Sequence, residues 1–199
     1  MQIGILYEGR YDEGPIISIT KLILDEIGCT SNISFVTSDA GGNITPKMNA
    51  AAVLFFEGVE KCDLAIYISD TDYNPRKKIE ISHWINNYCR GNADARIIVG
   101  CPQPHLEQWF LNDESAIRKT FSLPSGSLLP FPNEIIPKTR FTSIVEFLNH
   151  DLSKSKLELY SEVASYIDLP NLASRDTSFK TFYRDLKQAL RTLCRTHTH

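Results

Sequence analysis

The sequence has no apolar run near the 18 or so residues that a membrane-spanning helix needs, and no low-complexity or repeated tract anywhere in its 199 residues. It has no Cys-x-x-Cys pair and no Cys/His cluster, which removes zinc fingers and thioredoxin-type redox motifs. The five cysteines (Cys29, Cys62, Cys89, Cys101 and Cys194) are odd in number and widely spaced, so the expectation is reduced thiols rather than a disulfide framework. The Gly-x-x-x-x-Gly-Lys-Ser/Thr phosphate loop is also missing, so any ATP hydrolysis must come from a partner in trans. The opening MQIGILYEGR carries no basic stretch and no small-residue cleavage site. It reads as a first strand rather than a secretion signal, and the expected location is the cytoplasm.

What is present suits an ordinary folded domain. Hydrophobic residues make up 42% and charged residues 23%, and a chain of this length buries roughly 70% of its unfolded surface. The net charge of −3 argues against a protein that coats nucleic acid without specificity. That charge is uneven. Residues 1–150 hold 13 basic and 18 acidic groups, a net of −5, whereas residues 151–199 hold 8 and 6, a net of +2.

Strand and helix signals alternate through the first hundred residues. Ile3–Tyr7, Ser34–Val36, Leu64–Ile68 and Arg96–Val99 read as strands. Between them, Pro15 opens a helix with Ile16, Ile19, Ile23 and Ile27 on one face. Thr45-Pro46 opens another with Met48, Ala51, Ala52, Phe55 and Val59, and Asn74-Pro75 a third with Ile81, Trp84, Ile85 and Tyr88. The order βαβαβαβ predicts a mostly parallel α/β sheet with helices on both faces and right-handed crossovers. Beyond residue 100 come a proline-rich loop (Cys101–His105), a short helix (Leu106–Leu111) and a long loop over 122–138. Helices follow near Thr142–Asn149, Lys154–Ile167 and Phe179–Leu193. The expected division is a core over 1–120 and a loop and helical extension over 121–199 packed on it.

Sites in parallel sheets form at the carboxyl ends of strands. The first strand ends in Glu8-Gly9 with Asp12 four residues on, the third in Asp70-Thr-Asp72, and the loop after the fourth leads to Glu107. If the first and third strands are neighbours, these acids share one rim. So many carboxylates cannot all ionise together without a cation, and oxygen-only ligands select Mg²⁺ or Mn²⁺ over zinc. Such a site suits phosphoryl chemistry, with Glu8, Asp12, Asp70 and Asp72 holding two metals and Glu107 in support. Each acid has a plainer reading as a turn or cap residue: Asp12 capping the first helix, Asp72 capping the helix after Asn74, and Glu107 favoured by its helix dipole. Trp109 and Phe110 read as core, and His105 and Cys101 as structural.

Glu8 in LYEGRYDE and Asp70/Asp72 in IYISDTDYN resemble the acidic signature of the TOPRIM fold, the catalytic module of topoisomerases, primases and OLD-type nucleases. Glu8-Gly9-Arg10-Tyr11-Asp12 is most similar to the OLD-type branch. CPQPHLEQWFLND (101–113) and SFKTFYRDL (178–186) resemble segments of small stand-alone TOPRIM-like bacterial proteins. The resemblance implies a Rossmann-like TOPRIM fold, Glu8, Asp70 and Asp72 as catalytic residues, and Asp12 as a further metal ligand. It also implies an ATPase partner in trans and a setting in phage defence. OLD-type nucleases use a late lysine near the scissile phosphate, for which Lys180 and Lys187 qualify by position.

The last helix carries Lys180, Arg184, Lys187 and Arg191 at spacings of 4, 3 and 4. They form one basic face along which a nucleic-acid backbone can lie, or simply the solvated side of an amphipathic helix. The leading expectation is a metal-dependent nuclease. Its alternatives are a catalytically weak TOPRIM-like binding module acting through a partner, or a nucleotide-dependent transferase using Asp70-x-Asp72. A haloacid-dehalogenase-type phosphatase fits less well, because its motif sits near the first strand.

Overall fold

The computed structural model describes residues 1–58, 61–149 and 153–196. Val59 and the terminal His197 and His199 lie outside them. Four parallel strands, β1 (Gln2–Tyr7), β2 (Ser34–Asp39), β3 (Leu64–Ile68) and β4 (Ile97–Gly100), form one sheet in the order β2-β1-β3-β4. The register pairs Ile3 with both Phe35 and Leu64, and Ile66 with Ile98. β1 and β3 are central and neighbours, and both are almost wholly buried, as strands covered on two faces must be.

The intervening helices are α1 (Glu13–Glu26), α2 (Met48–Ala52) and α3 (Pro75–Gly91). A tight turn over Thr45–Lys47 leads into α2, and a wider helical turn over Val53–Glu57 extends it. The chain then runs through α4 (Glu107–Asn112), α5 (Glu114–Thr120), α6 (Pro137–Leu148), α7 (Lys156–Ser165), α8 (Leu169–Arg175) and α9 (Thr177–Thr196). α5 and α8 carry too little periodicity to be read from sequence, being seven residues each.

The sheet has two unequal sides. α2 and α3 cover one, through Met48, Ala51, Phe55, Ile81 and Ile85. Gly4 of β1 belongs to this side: a Cβ there would stand 2.6 Å from the Phe55 ring, so the missing side chain is what lets α2 settle on the strand. The larger core lies on the other side. There α1 packs against α7 and α9, and α9 lies on β4. Trp109 and Phe110 of α4 are fully buried in it, as their sequence context predicts. Several helix starts are built from local chemistry. Asn74 accepts from the Arg76 N–H at 3.0 Å ahead of Pro75, and Ser155 and Glu158 form a reciprocal capping box.

One expectation fails. Cys29 and Cys194 form a disulfide, with Cα atoms 5.8 Å apart and 165 positions apart in sequence. Spacing could not reveal it, because only the docking of α9 along α1 brings the two helix ends together. Cys62, Cys89 and Cys101 are free. Burial pushes the Cys62 and Cys101 thiols up to about 11, which makes them poor nucleophiles. A cross-link closing so long a loop contributes about 2–4 kcal/mol. Cys194→Ser, or reduction with dithiothreitol, is therefore expected to lower the thermal midpoint by about 5–10 °C. An unchanged midpoint, with all five thiols titrating in the unreduced unfolded chain, would rule the bridge out.

Candidate functional site

The carboxyl edge of the sheet gathers the acids. Glu8, Asp12, Asp70, Asp72 and Glu107 line one cleft of about 130 Å³, together with Gly9, Tyr11, Gly42 and Lys138. β1 delivers Glu8, the turn into α1 delivers Asp12, the exit of β3 delivers Asp70 and Asp72, and the first turn of α4 delivers Glu107. The adjacency of β1 and β3, on which the shared rim depended, is present.

Each carboxylate has its own donor. Glu8 is buried and accepts from the backbone N–H of Asp70 at 3.0 Å and of Ile44 at 3.2 Å. Asp12 stands at the N-cap position of α1, but its side chain makes no cap bond to the helix. It turns back to accept the Gly9 N–H at 2.8 Å. A Cβ on Gly9 would press on that carboxylate at 3.2 Å, so the glycine gives Asp12 its room. Asp70 accepts from the Leu106 N–H at 2.8 Å, and the Tyr160 hydroxyl donates to Glu107 at 3.4 Å. Asp72 does not cap α3, since Asn74 does. Asp72 and Tyr73 instead adopt left-handed backbone, with φ of +48° and +62°. That conformation costs non-glycine residues about 1–3 kcal/mol each. It is held by the Thr71 and Asp72 N–H groups donating to the Pro102 and Pro104 carbonyls of the following loop.

The electrostatics are those of a site short of positive charge. Burial pushes Asp70 up to about 8, and the charges of Asp12 and Glu107 add to it against the Leu106 N–H. Burial likewise pushes Asp12 up to about 7, opposed by the Gly9 N–H and reinforced by Glu107 and Glu8. Lys138, at the start of α6, draws both down slightly.

Lys77 of α3 was not anticipated from sequence. Its ammonium sits 3.0 Å from Glu8 and 3.0 Å from Asp72. Burial works against that charge, but the two hydrogen bonds outweigh it and raise the Lys77 pKa. His105 is buried and edge-on to Tyr73, with Nε2 at 3.5 Å from Asp72. Lys138 was hidden in what reads as loop, and no sequence signal marks it. Lys77 at least follows Asp72 by little more than a helical turn, although spacing could not say which way it points. Lys180 and Lys187, the positional candidates for a phosphate lysine, do not line this cleft.

Among the described residues, no three Asp, Glu, His or Cys side chains converge as they stand on a point where a metal ion fits. The donor set nonetheless suits a hard cation in kind. It is all oxygen, it comes from three strand exits, and burial pushes two of its members well above the usual carboxylate range, where a positive charge would draw them back.

Lys180, Arg184, Lys187 and Arg191 do share a face, but on a different groove, between α8 and α9. That groove has no lining residue in common with the acidic cleft.

Fold and cleft together define an α/β protein with an acidic cleft at the carboxyl edge of an all-parallel sheet. No protein-family model, curated protein or solved structure matches the chain.

Proposed function

We propose that the acidic cleft is the centre of a metal-dependent phosphodiesterase of TOPRIM type, a nuclease that cleaves DNA or RNA. The observation that carries this reading is the convergence of five carboxylates from three strand ends on one small cleft, two of them pushed far above the usual carboxylate range. Glu8, Asp70 and Asp72 would be the central ligands of Mg²⁺ or Mn²⁺, with Asp12 and Glu107 completing the set. Bound there, the cation supplies positive charge and Lewis acidity to a phosphate oxygen. Lys138 stands at the cleft mouth, exposed and of the right sign to meet a phosphate. With no phosphate loop in the sequence, coupling to ATP would require a partner ATPase, as the TOPRIM resemblance suggests, within a phage-defence system.

One observation favours a second reading. Lys77 bridges Glu8 and Asp72 and so places a cation of the chain's own between two of the proposed ligands. A TOPRIM-like module with weak catalysis, acting through a partner, would keep such a bridge permanently.

The test is cleavage of supercoiled plasmid, single-stranded DNA and RNA with Mg²⁺ or Mn²⁺, comparing wild type with Glu8→Ala. The nuclease reading expects metal-dependent cleavage that falls at least 100-fold in the variant, since Glu8 joins the end of β1 to Asp70 and Lys77. Absence of cleavage together with absence of Mn²⁺ binding by calorimetry would defeat it and leave the binding module.

A further inference from the structure

A second groove among the described residues is larger than the acidic cleft. It lies between α8 and α9, has a volume of about 760 Å³, and is walled on one side by Pro170, Ala173 and Ser174. The other wall is the basic face of α9, where Lys180, Arg184, Lys187, Arg191 and Arg195 follow one another. At 1.5 Å per residue that row is about 22 Å long. Small side chains on α8 keep the groove open, and cations edge an otherwise weakly polar floor.

The groove already handles one carboxylate. Glu26, reaching over from α1, accepts from the Tyr183 hydroxyl at 2.6 Å and from Lys187 at 2.6 Å. Burial would raise its pKa, but Lys187 and Tyr183 lower it. The same wall presents further cations: Lys180 and Arg191 are exposed, and Arg184 is 70% exposed with only its neighbour Asp185 at its Nε.

We propose that this groove is a docking site for an acidic, amphipathic peptide segment of a partner protein, its carboxylates meeting Lys180, Arg184 and Arg191 and its apolar side chains resting against Pro170 and Ala173. Charge complementarity selects an anion. Three features select a peptide over nucleic acid. Pro170 and Ala173 give the α8 wall an apolar surface, which suits peptide side chains rather than a phosphate backbone. The Tyr183 ring is stacked on Phe179 at 6.0 Å, and Lys187 lies over it at 4.8 Å, so it is not open to base stacking. The row of cations also shares no lining residue with the carboxylate cleft, where a nucleic-acid substrate would react. The last of these features rests on the proposed function, and the other two stand without it.

The test is fluorescence anisotropy at about 0.15 M salt with four labelled probes. They are a Glu/Leu amphipathic peptide of about 16 residues, polyglutamate of equal length, a 20-nucleotide single strand and a 20-base-pair duplex. The Glu/Leu peptide is expected to bind most tightly. Arg184→Glu with Arg191→Glu should weaken it at least tenfold, because both reverse charge at exposed positions that leave the core untouched. Ser174→Trp, which fills the groove without altering charge, should weaken it at least fivefold and serves independently if the charge-reversed chain fails to fold. Tighter binding of either DNA, no binding of the Glu/Leu peptide, or an undiminished affinity in folded Ser174→Trp would each overturn the proposal.

Discussion

In the presence of a chelator, the protein is expected to lose stability as the pH rises from 6 to 8.5. Asp12 and Asp70 have folded pKa values of about 7 and about 8, against 3.8 when unfolded. Above pH 4 the unfolded chain gives up these protons and the folded one retains them. The folded state then binds more protons than the unfolded, and stability must fall with rising pH. The contribution is whole below the unfolded pKa and is lost by the time the pH has passed through 7 to 8. Each unit of difference is worth about 1.4 kcal/mol. Both groups are only half-buried, so solvent screening trims the roughly 4 kcal/mol that the window would otherwise carry. A loss of about 3 kcal/mol, or about 6–12 °C in the thermal midpoint, is expected over this window.

Added Mn²⁺ should restore most of that loss at pH 8.5 and do little at pH 6, where protons occupy the oxygens a cation needs. Asp70→Asn retains an acceptor for the Leu106 N–H and removes the charge. It should roughly halve the slope and abolish the response to Mn²⁺. Differential scanning fluorimetry across pH, with and without the metal, reads all of these. A midpoint independent of pH in wild type would mean that the two aspartates ionise freely, and the charge argument for a metal would go with it.

Trp109→Ala is expected to cost about 3–5 kcal/mol, the range for deleting a large buried aromatic. Trp109 is fully buried in α4 and joins that helix to α9 in three ways. It is stacked on Phe182 at 5.5 Å, edge-on to Phe179 at 5.0 Å, and its Nε1–H donates to Ser178 Oγ at 2.8 Å. The vacated volume lies between α4 and α9, where packed helix backbones limit collapse. Trp109→Phe retains the stacking and loses the hydrogen bond, leaving Ser178 Oγ to Asp176 alone. Its expected cost is about 1–2 kcal/mol. Urea unfolding followed by circular dichroism gives both values. A cost below 1 kcal/mol for the alanine variant would mean that α9 does not dock on α4 as described. Because Glu107 lies two residues before Trp109, the alanine variant should also loosen the acidic cleft and weaken any binding of Mn²⁺ there.

Much of this was legible in the chain itself. β1, β3 and β4 carry continuous apolar runs, β2 only Phe35 and Val36, and the three crossover helices follow Pro or Asx residues, so most elements could be placed. The acids at residues 8, 12, 70, 72 and 107 could be placed on one rim because a parallel βαβ order puts every strand exit at the same edge. What escaped was of a different kind. Spacing could not distinguish Asp72 as a helix cap from Asp72 as a cleft ligand, since both readings need an acid just before α3. The backbone decided it by turning left-handed at Asp72 and Tyr73 and giving the cap to Asn74. Lys138 lay in a proline-rich stretch with no periodicity, and its position depends wholly on where α6 is packed.

By itself, the sequence determined the α/β class, the strand content and the edge at which the acids gather. Those follow from local periodicity and from the rule that parallel strands share a direction. Tertiary structure alone decided that Lys77 bridges Glu8 and Asp72, that Cys29 meets Cys194, and that the basic face of α9 opens on a groove of its own. Each of these depends on the docking of helices whose contacts are remote in sequence. The direction of a side chain across such a contact is set by packing rather than by the spacing of residues along the chain.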